Sequence, residues 1–287
     1  MKKPWDRPES ERIKMQKGRV RAMLIGAWAP REPMFMNLVL KWLEQEKRLP
    51  LKRIHAVIDR FASMNIITQV VTHEEACAFV RGLPESFAIA LGPCACRIHT
   101  AEPLGPDARD LAAGKLDFCR QSPLELDIQI AKCAETFGAL PTYRMISKEE
   151  LLELEKTANN LGLVSNVYMM WGGEGGICHC SSATCAPFLA NQALDGRSAV
   201  IKKGFSIART DEAACDASGA CAKVCHFNAR KIVDGPDGPR LSVDLSKCYG
   251  CGICAQVCPR GAIRMVPRNK RAKGMLWILR KLARRNA

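Results

Sequence analysis

Apolar residues recur at helical spacing from Met34 to Arg48, and again from Leu51 to Met64, where Ile54, Val57, Ile58 and Phe61 share one face. Pro50 separates the two predicted helices. The period then shortens: Ile66 to Val71 is β-branched and predicts a strand. Thr72 opens the next helix, with Glu75 placed to complete a capping box. Phe87 to Leu91 predicts a second strand, running into Gly92-Pro93-Cys94-Ala95-Cys96-Arg97. Ser147 and Glu150 form another capping box, and Gly162 is a suitable stop for the helix they begin. Leu163 to Met170 predicts a strand, and Gly172 to Gly176 a flexible turn ahead of Cys178. That run lacks the Lys-Ser/Thr of a phosphate-binding loop and the strand–loop–helix setting of a dinucleotide site. Beyond Phe205 four short strand-like runs follow, Ser206 to Arg209, Arg230 to Val233, Arg240 to Val243 and Ala262 to Val266. The pattern predicts an α+β protein: a mainly helical or mixed amino-terminal domain and a small duplicated βαβ domain.

Charge divides the 287 residues further. The net charge is +14, and it sits at the ends. Residues 1–31 carry nine Lys/Arg against three acids, residues 267–287 eight against none, and the body between is neutral. The predicted organisation is a basic lead-in (1–33), a cysteine-containing domain (34–200), a cysteine-repeat domain (205–267) and a basic tail (268–287), with Arg197 to Lys203 at the boundary. Within the tail, Met275, Ile278, Leu279 and Leu282 fall on one helical face and Arg280, Lys281 and Arg284 on the other. Such a helix suits an anionic membrane surface, a groove on a partner protein, or its own domain. Nucleic acid is disfavoured, because the basic residues are not interleaved with a stacking platform. The basic start is followed by no long apolar run, and no stretch reaches the ~18 apolar residues of a membrane span. The expected location is cytoplasmic, or peripheral to the inner face of the membrane. In a reducing compartment the fifteen cysteines are thiols or metal ligands.

Four of them, Cys248, Cys251, Cys254 and Cys258, stand in the spacing C-x2-C-x2-C-x3-C with Pro259 behind. Three thiolates on a tight loop can grip three corners of an iron–sulfur cubane, while the fourth ligates another cluster. Gly250 and Gly252 leave the loop backbone room to close. A zinc ribbon would instead space two C-x2-C pairs farther apart. Cys215, Cys221 and Cys225 recur 33 residues on as Cys248, Cys254 and Cys258, so the domain is an internal duplication. These 60 or so residues resemble the bacterial two-cluster ferredoxin family. The resemblance implies a crossed arrangement: Cys248, Cys251, Cys254 and Cys225 hold one complete 4Fe-4S cluster, and Cys215, Cys221 and Cys258 serve the second. Two residues depart from the family. Ser218 stands where the second half has Cys251, and His226 where the family has proline. The second site then has three open fates: a 3Fe-4S cluster, a 4Fe-4S cluster whose fourth iron is bound by Ser218 or water, or no cluster. His226 can couple proton uptake to reduction or simply replace the proline.

Six further cysteines, Cys94, Cys96, Cys119, Cys178, Cys180 and Cys185, form a second pattern, with His179 as a nitrogen donor and Arg97 to balance thiolate charge. Cys77 and Cys133 lie among apolar neighbours in helical segments and read as buried thiols. The C-x-C-R motif, the downstream cysteine and the run Ile177-Cys178-His179-Cys180 resemble an amino-terminal domain of uncharacterised ferredoxin-fused proteins of anaerobic microbes. The set is expected to bind an iron–sulfur cluster or zinc, or to remain a reduced structural group.

Neither a Ser-His-Asp set nor paired catalytic carboxylates is legible. The expected function is therefore iron–sulfur electron transfer to a redox partner protein, as a carrier or an oxidoreductase subunit. The alternatives are a redox or iron sensor built on the three-cysteine site, and a reductase acting at an amino-terminal metal site.

Overall fold

The computed structural model describes residues 26–46, 52–99, 125–170, 175–236 and 238–268. Among these, an α+β arrangement is organised by a seven-stranded sheet. Its strands are β1 (Ile66–Val70), β2 (Ile89–Pro93), β3 (Glu125–Ile130), β4 (Arg144–Met145), β5 (Val164–Met170), β6 (Gly175–Cys180) and β7 (Ile201–Lys202). They lie in the order β4-β2-β3-β6-β5-β1-β7, antiparallel throughout except that β7 runs parallel to β1. Thus Ile201 and Lys202, inside the predicted boundary stretch, complete the amino-terminal sheet.

Side chains alternate across the sheet, and the register fixes which residues share a side. On one side Ile89, Leu91, Ile128, Ile130, Val167 and Ile177 pack against Phe79 and Val80 of helix His73–Arg81 and Leu151 of helix Lys148–Asn160. Both helices begin at the predicted caps, the first with a full capping box and the second with half of one, because the Glu150 carboxylate binds Arg144 instead. Thr72 accepts from the Glu75 amide at 3.1 Å while the Thr72 amide donates to the Glu75 carboxylate at 2.9 Å, and Ser147 accepts from the Glu150 amide. The second helix is followed by a left-handed Gly162 (φ 70°). The opposite side of the sheet is covered by helices Glu32–Glu46 and Ala186–Ala193, which bury Leu40, Leu43 and Ala186 around Cys96. Residues 26–31, assigned by charge to the lead-in, are already helical.

The remainder is small and two-fold. β8 (Ser206–Thr210) pairs with β11 (Ile263–Pro267), and β9 (Arg230–Gly235) with β10 (Gly238–Val243), all antiparallel. Two one-turn helices, Ala220–Lys223 and Ile253–Gln256, each follow a left-handed glycine, Gly219 and Gly252. The duplication extends to the backbone. Ala217, Gly219 and Asn228 have φ of 52°, 77° and 52°; their counterparts Gly250, Gly252 and Gly261 have 81°, 85° and 60°. The two halves therefore keep one loop shape through different residues.

Between the parts lies a polar and aromatic joint. Tyr249 donates to Asn191 at 3.0 Å and to the Gly196 carbonyl at 3.2 Å, and Ser206 donates to Glu75 at 2.7 Å. The Arg268 guanidinium gathers the Gly204, Ser206 and Cys248 carbonyls at 2.9–3.1 Å. No described helix is long and apolar enough to cross a membrane. The predicted tail helix lies outside the described residues.

Candidate metal centres

The duplicated loops bring their cysteines together in two groups. Cys225, from the first half, lies with Cys248, Cys251 and Cys254 from the second, and the negative charge of each would oppose ionisation of its neighbours. The other group faces a cavity lined by Cys215, Cys221 and Ser218 from the first half and Cys258 from the second. Each half thus lends one sulfur to the other's group. Backbone geometry supports this exchange symmetrically. The Ala229 amide donates to Cys225 Sγ at 3.2 Å, and the Ala262 amide, 33 residues on, donates to Cys258 Sγ at 3.3 Å. Such N–H···S bonds stabilise thiolate charge and tune cluster potential. Gly250 is required twice over: its φ is 81°, and a Cβ there would meet the Ser206 carbonyl at 2.0 Å.

Burial pushes the Cys251 thiol well up and Cys254 up to about 12. Thiols so protonated release protons when they take metal, so loading is opposed by acid. Soft sulfur donors in a buried loop fit an iron–sulfur cluster. At the second group Ser218 and Asp216 are exposed, and both line the cavity. The Asp216 carboxylate accepts the Ser218 amide at 3.1 Å, which holds its pKa below the usual carboxylate value. Asp216 is an oxygen donor that the cysteine spacing does not reveal.

His226 is buried and its ring is fully engaged. Its Nδ1 accepts from the Ser182 amide at 3.1 Å and its Nε2 donates to the Gly162 carbonyl at 2.8 Å. Burial lowers its pKa to about 4. A neutral ring tied on both nitrogens is a fastener between the two parts of the chain, placed immediately after Cys225.

In the amino-terminal part, two C-x-C pairs and a single cysteine converge on the helix Ala186–Ala193 side of the sheet. Cys178 and Cys180 lie two apart on β6 and so point the same way. Cys94 and Cys96 follow β2, whose register shifts at Gly92/Pro93, and Cys185 caps helix Ala186–Ala193. Cys178, Cys180 and Cys185 pack in one buried apolar cluster and Cys94 and Cys96 in another, and the two meet on helix Ala186–Ala193. The Cys178 thiol donates to Asp127 at 3.6 Å. Hydrogen bonds from neighbouring thiols draw Cys96 and Cys180 well below the ordinary thiol value, and the guanidinium of Arg97, 1% exposed, adds to this. Arg97 thus lies where charge balance predicts. It also donates to the His179 carbonyl at 2.7 Å.

His179 itself points to the other side of the sheet, where its Nε2 meets Glu155 at 2.7 Å. The alternation that aligns Cys178 with Cys180 excludes it as their nitrogen partner. Cys77 and Cys133 are buried in helices His73–Arg81 and Lys132–Phe137, as expected of structural thiols. Cys119 lies outside the described residues, as do residues 172–174 of the predicted turn; Gly175 and Gly176 begin β6.

Sequence reasoning missed the carboxylates beside this set. Asp127 on β3 accepts from Tyr143 at 2.6 Å, Gln129 at 2.7 Å and Tyr168 at 3.5 Å in addition to Cys178. Burial still raises its pKa, and half-buried Glu32, raised chiefly by its own burial, stands near enough to oppose its charge. Gly92 makes this possible, since any Cβ there would strike the Tyr143 ring at 2.4 Å. The available signal was alternation: Asp127 and Gln129 interleave with Leu126, Ile128 and Ile130 in a strand that is otherwise core.

Comparison with known proteins places the carboxyl-terminal group. The 4Fe-4S binding domain family matches residues 241–264, a span holding Cys248, Cys251, Cys254 and Cys258. Over 75 residues the chain is 40% identical to one subunit of the Na(+)-translocating ferredoxin:NAD(+) oxidoreductase complex of Acetobacterium woodii. That stretch is 26% of this chain and 21% of the relative, so the chain spans about a fifth of the length of the curated protein it matches. The chain carries a ferredoxin-type 4Fe-4S module.

Proposed function

We propose that the chain relays single electrons through two ferredoxin-type clusters to or from a redox partner protein. One cluster is held by Cys225, Cys248, Cys251 and Cys254, the other by Cys215, Cys221 and Cys258 with an oxygen donor at the fourth corner. The observation that carries this reading is the exchange of Cys225 and Cys258 between the two groups. A cubane bound by thiolates changes charge by one electron with little rearrangement, so adjacent groups make a path. The three-thiol group, beside exposed Asp216 and Ser218, is the end that a partner reaches first. The relative's place in a ferredoxin:NAD(+) oxidoreductase complex supports a partner of that redox class. The basic tail is assigned to an anionic surface, membrane lipid included. Vesicle flotation tests this by comparing the full chain with one ending at Arg268; equal flotation removes the tail from the reading.

The exposed oxygen donors Ser218 and Asp216 also favour a second reading, in which this group gains and loses one iron as a sensor. Ser218→Cys separates the two. Because Ser218 lies in a loop matching that of Cys251, the added thiol should hold the fourth iron through mild oxidation, which in the wild type releases it and leaves a 3Fe-4S EPR signal. Equal loss of iron from wild type and variant would remove the fourth-corner assignment. Reversible interconversion of the wild-type signal on adding ferrous iron would favour the sensor.

A further inference from the structure

We infer that Cys94, Cys96, Cys178, Cys180 and Cys185 hold a third iron–sulfur centre, wired to the complete ferredoxin-type cluster and facing it across the joint. The inference rests on the electron-relay reading for its electrons, but the site is made of separate residues.

Four observations carry it. The first is donor chemistry: five thiols pack about helix Ala186–Ala193, drawn from a strand, a bulged strand end and a helix cap. No single element would bring them together, and the histidine within the run turns away to Glu155. The donors are therefore all soft sulfur, which selects iron–sulfur chemistry over hard cations. Among the described residues no three His, Cys, Asp or Glu side chains converge on a point as the ligands of one ion would. The cysteines inside the 4Fe-4S family match share that property, as befits sulfurs that each bind a different iron of a cluster.

The second observation is positional. Arg97, 1% exposed, follows Cys96 directly and donates to the carbonyl of His179, the residue between Cys178 and Cys180, at 2.7 Å. One buried side chain thus ties the two C-x-C pairs together.

The third is packing. Cys180, Cys185, Phe188 and Tyr249 belong to one buried cluster, and Cys178, Phe227 and Cys251 pack onto it. Sulfurs of both centres thus touch the same apolar body. Its aromatic rings form a ladder: Phe188 to Phe227 at 5.2 Å between centroids, then Phe227 stacked on Tyr249 at 4.2 Å and 17°. Each rung neighbours a cysteine in sequence, Phe188 after Cys185, Phe227 after Cys225, and Tyr249 between Cys248 and Cys251.

The fourth is the fastener. His226, directly after Cys225, holds the Ser182 amide in the loop between Cys180 and Cys185. One side chain thereby fixes a loop of each centre relative to the other.

In transfer, one electron leaves the reduced complete cluster and enters the oxidised third centre. No bond is made or broken, and the protein's total charge is unchanged. The order of centres is then the three-thiol group, the complete cluster, and the amino-terminal centre beside Asp127, Tyr143 and Glu32.

The test uses the full chain purified without oxygen. Two ferredoxin-type clusters account for about seven or eight irons, so a third centre raises the wild-type count toward eleven or twelve. A wild-type count of eight or below, or zinc that is lost with this set, overturns the inference without any variant. The double variant Cys96→Ser/Cys185→Ser should lose the extra iron and acid-labile sulfide while keeping the ferredoxin-type EPR signal. It should also lose the spin–spin broadening that the reduced third centre imposes on that signal. Iron content equal to wild type in this variant overturns the proposal. Cys133→Ser, a buried thiol outside the set, should change neither iron nor broadening and controls for packing. Cys251→Ser strips the complete cluster instead. If it leaves iron and spectrum unchanged, the relay reading fails, an outcome distinct from failure of the third centre.

Discussion

At the scale of single residues, alternation along β6 separates two kinds of chemistry that the sequence places side by side. Cys178 and Cys180 look toward sulfur, and His179 between them looks toward a buried carboxylate. Glu155 also accepts from Ser165 at 2.9 Å, and these partners outweigh its burial, holding its pKa at about 2 against an ordinary 4.5. A carboxylate depressed in the fold contributes stability above the unfolded value and loses it as pH falls through the folded one. Here that contribution is about 3 kcal/mol, present above pH 4.5 and lost toward pH 2. Glu155→Gln should flatten this acid limb in urea titrations run from pH 7 to pH 3. It should also cost about 1–3 kcal/mol at neutral pH, because buried His179 and Ser165 lose a charged hydrogen-bond acceptor. His226 shows how context overrides a residue's chemistry: a side chain eligible for proton coupling is instead held neutral by burial and by two backbone contacts. His226→Ala should destabilise the chain by about 1–3 kcal/mol, since the Ser182 amide and Gly162 carbonyl lose their partner. Denaturant midpoints of the loaded protein would register the loss.

Among elements, those with local signals were legible and those defined by their neighbours were not. The Thr72 capping box, the Ser147 cap, the helices flanking residue 50, β1, β5 and all four strands of the carboxyl-terminal part could be read from the chain, because caps, β-branched runs and repeat spacing are local. β6 could not: Gly-Gly ahead of a cysteine resembles a turn. Yet the glycines are there because the Tyr168 and Ile128 carbonyls come within 2.0 and 1.8 Å of where a Cβ would stand. That crowding comes from strands distant in sequence. The two ferredoxin-type cysteine groups were readable as spacing, and the convergence of five amino-terminal cysteines only as a suspicion, since their order in space depends on the sheet. Asp127 was hidden for the same reason. Gly250→Ala tests how far loop shape governs a centre. A left-handed alanine costs about 1–2 kcal/mol before the clash with Ser206 is counted. The variant should lose the complete cluster's iron selectively, measured as about four fewer irons per chain with the amino-terminal set intact.

On the scale of the whole molecule, the joint decides what the two parts can do together. Tyr249, Phe227, His226 and Arg268 all belong to the small duplicated part, and all make contacts that also bear on a cysteine loop. Tyr249→Phe keeps the ring stack and removes the bonds to Asn191 and Gly196. It should cost about 1–2 kcal/mol while leaving the EPR spectrum unchanged. Phe227→Ala removes the middle ring and should cost about 3–5 kcal/mol, with slowed transfer across the joint seen by freeze-quench after rapid reduction.

The Ser182–His226 contact has a consequence for biosynthesis. The loop carrying Cys180 and Cys185 leaves the ribosome well before the imidazole that fastens it, and Tyr249 follows later still. The early sulfurs therefore wait, reduced and without their final support, until the carboxyl-terminal repeat has emerged and folded. The set made first is thus the last to be braced.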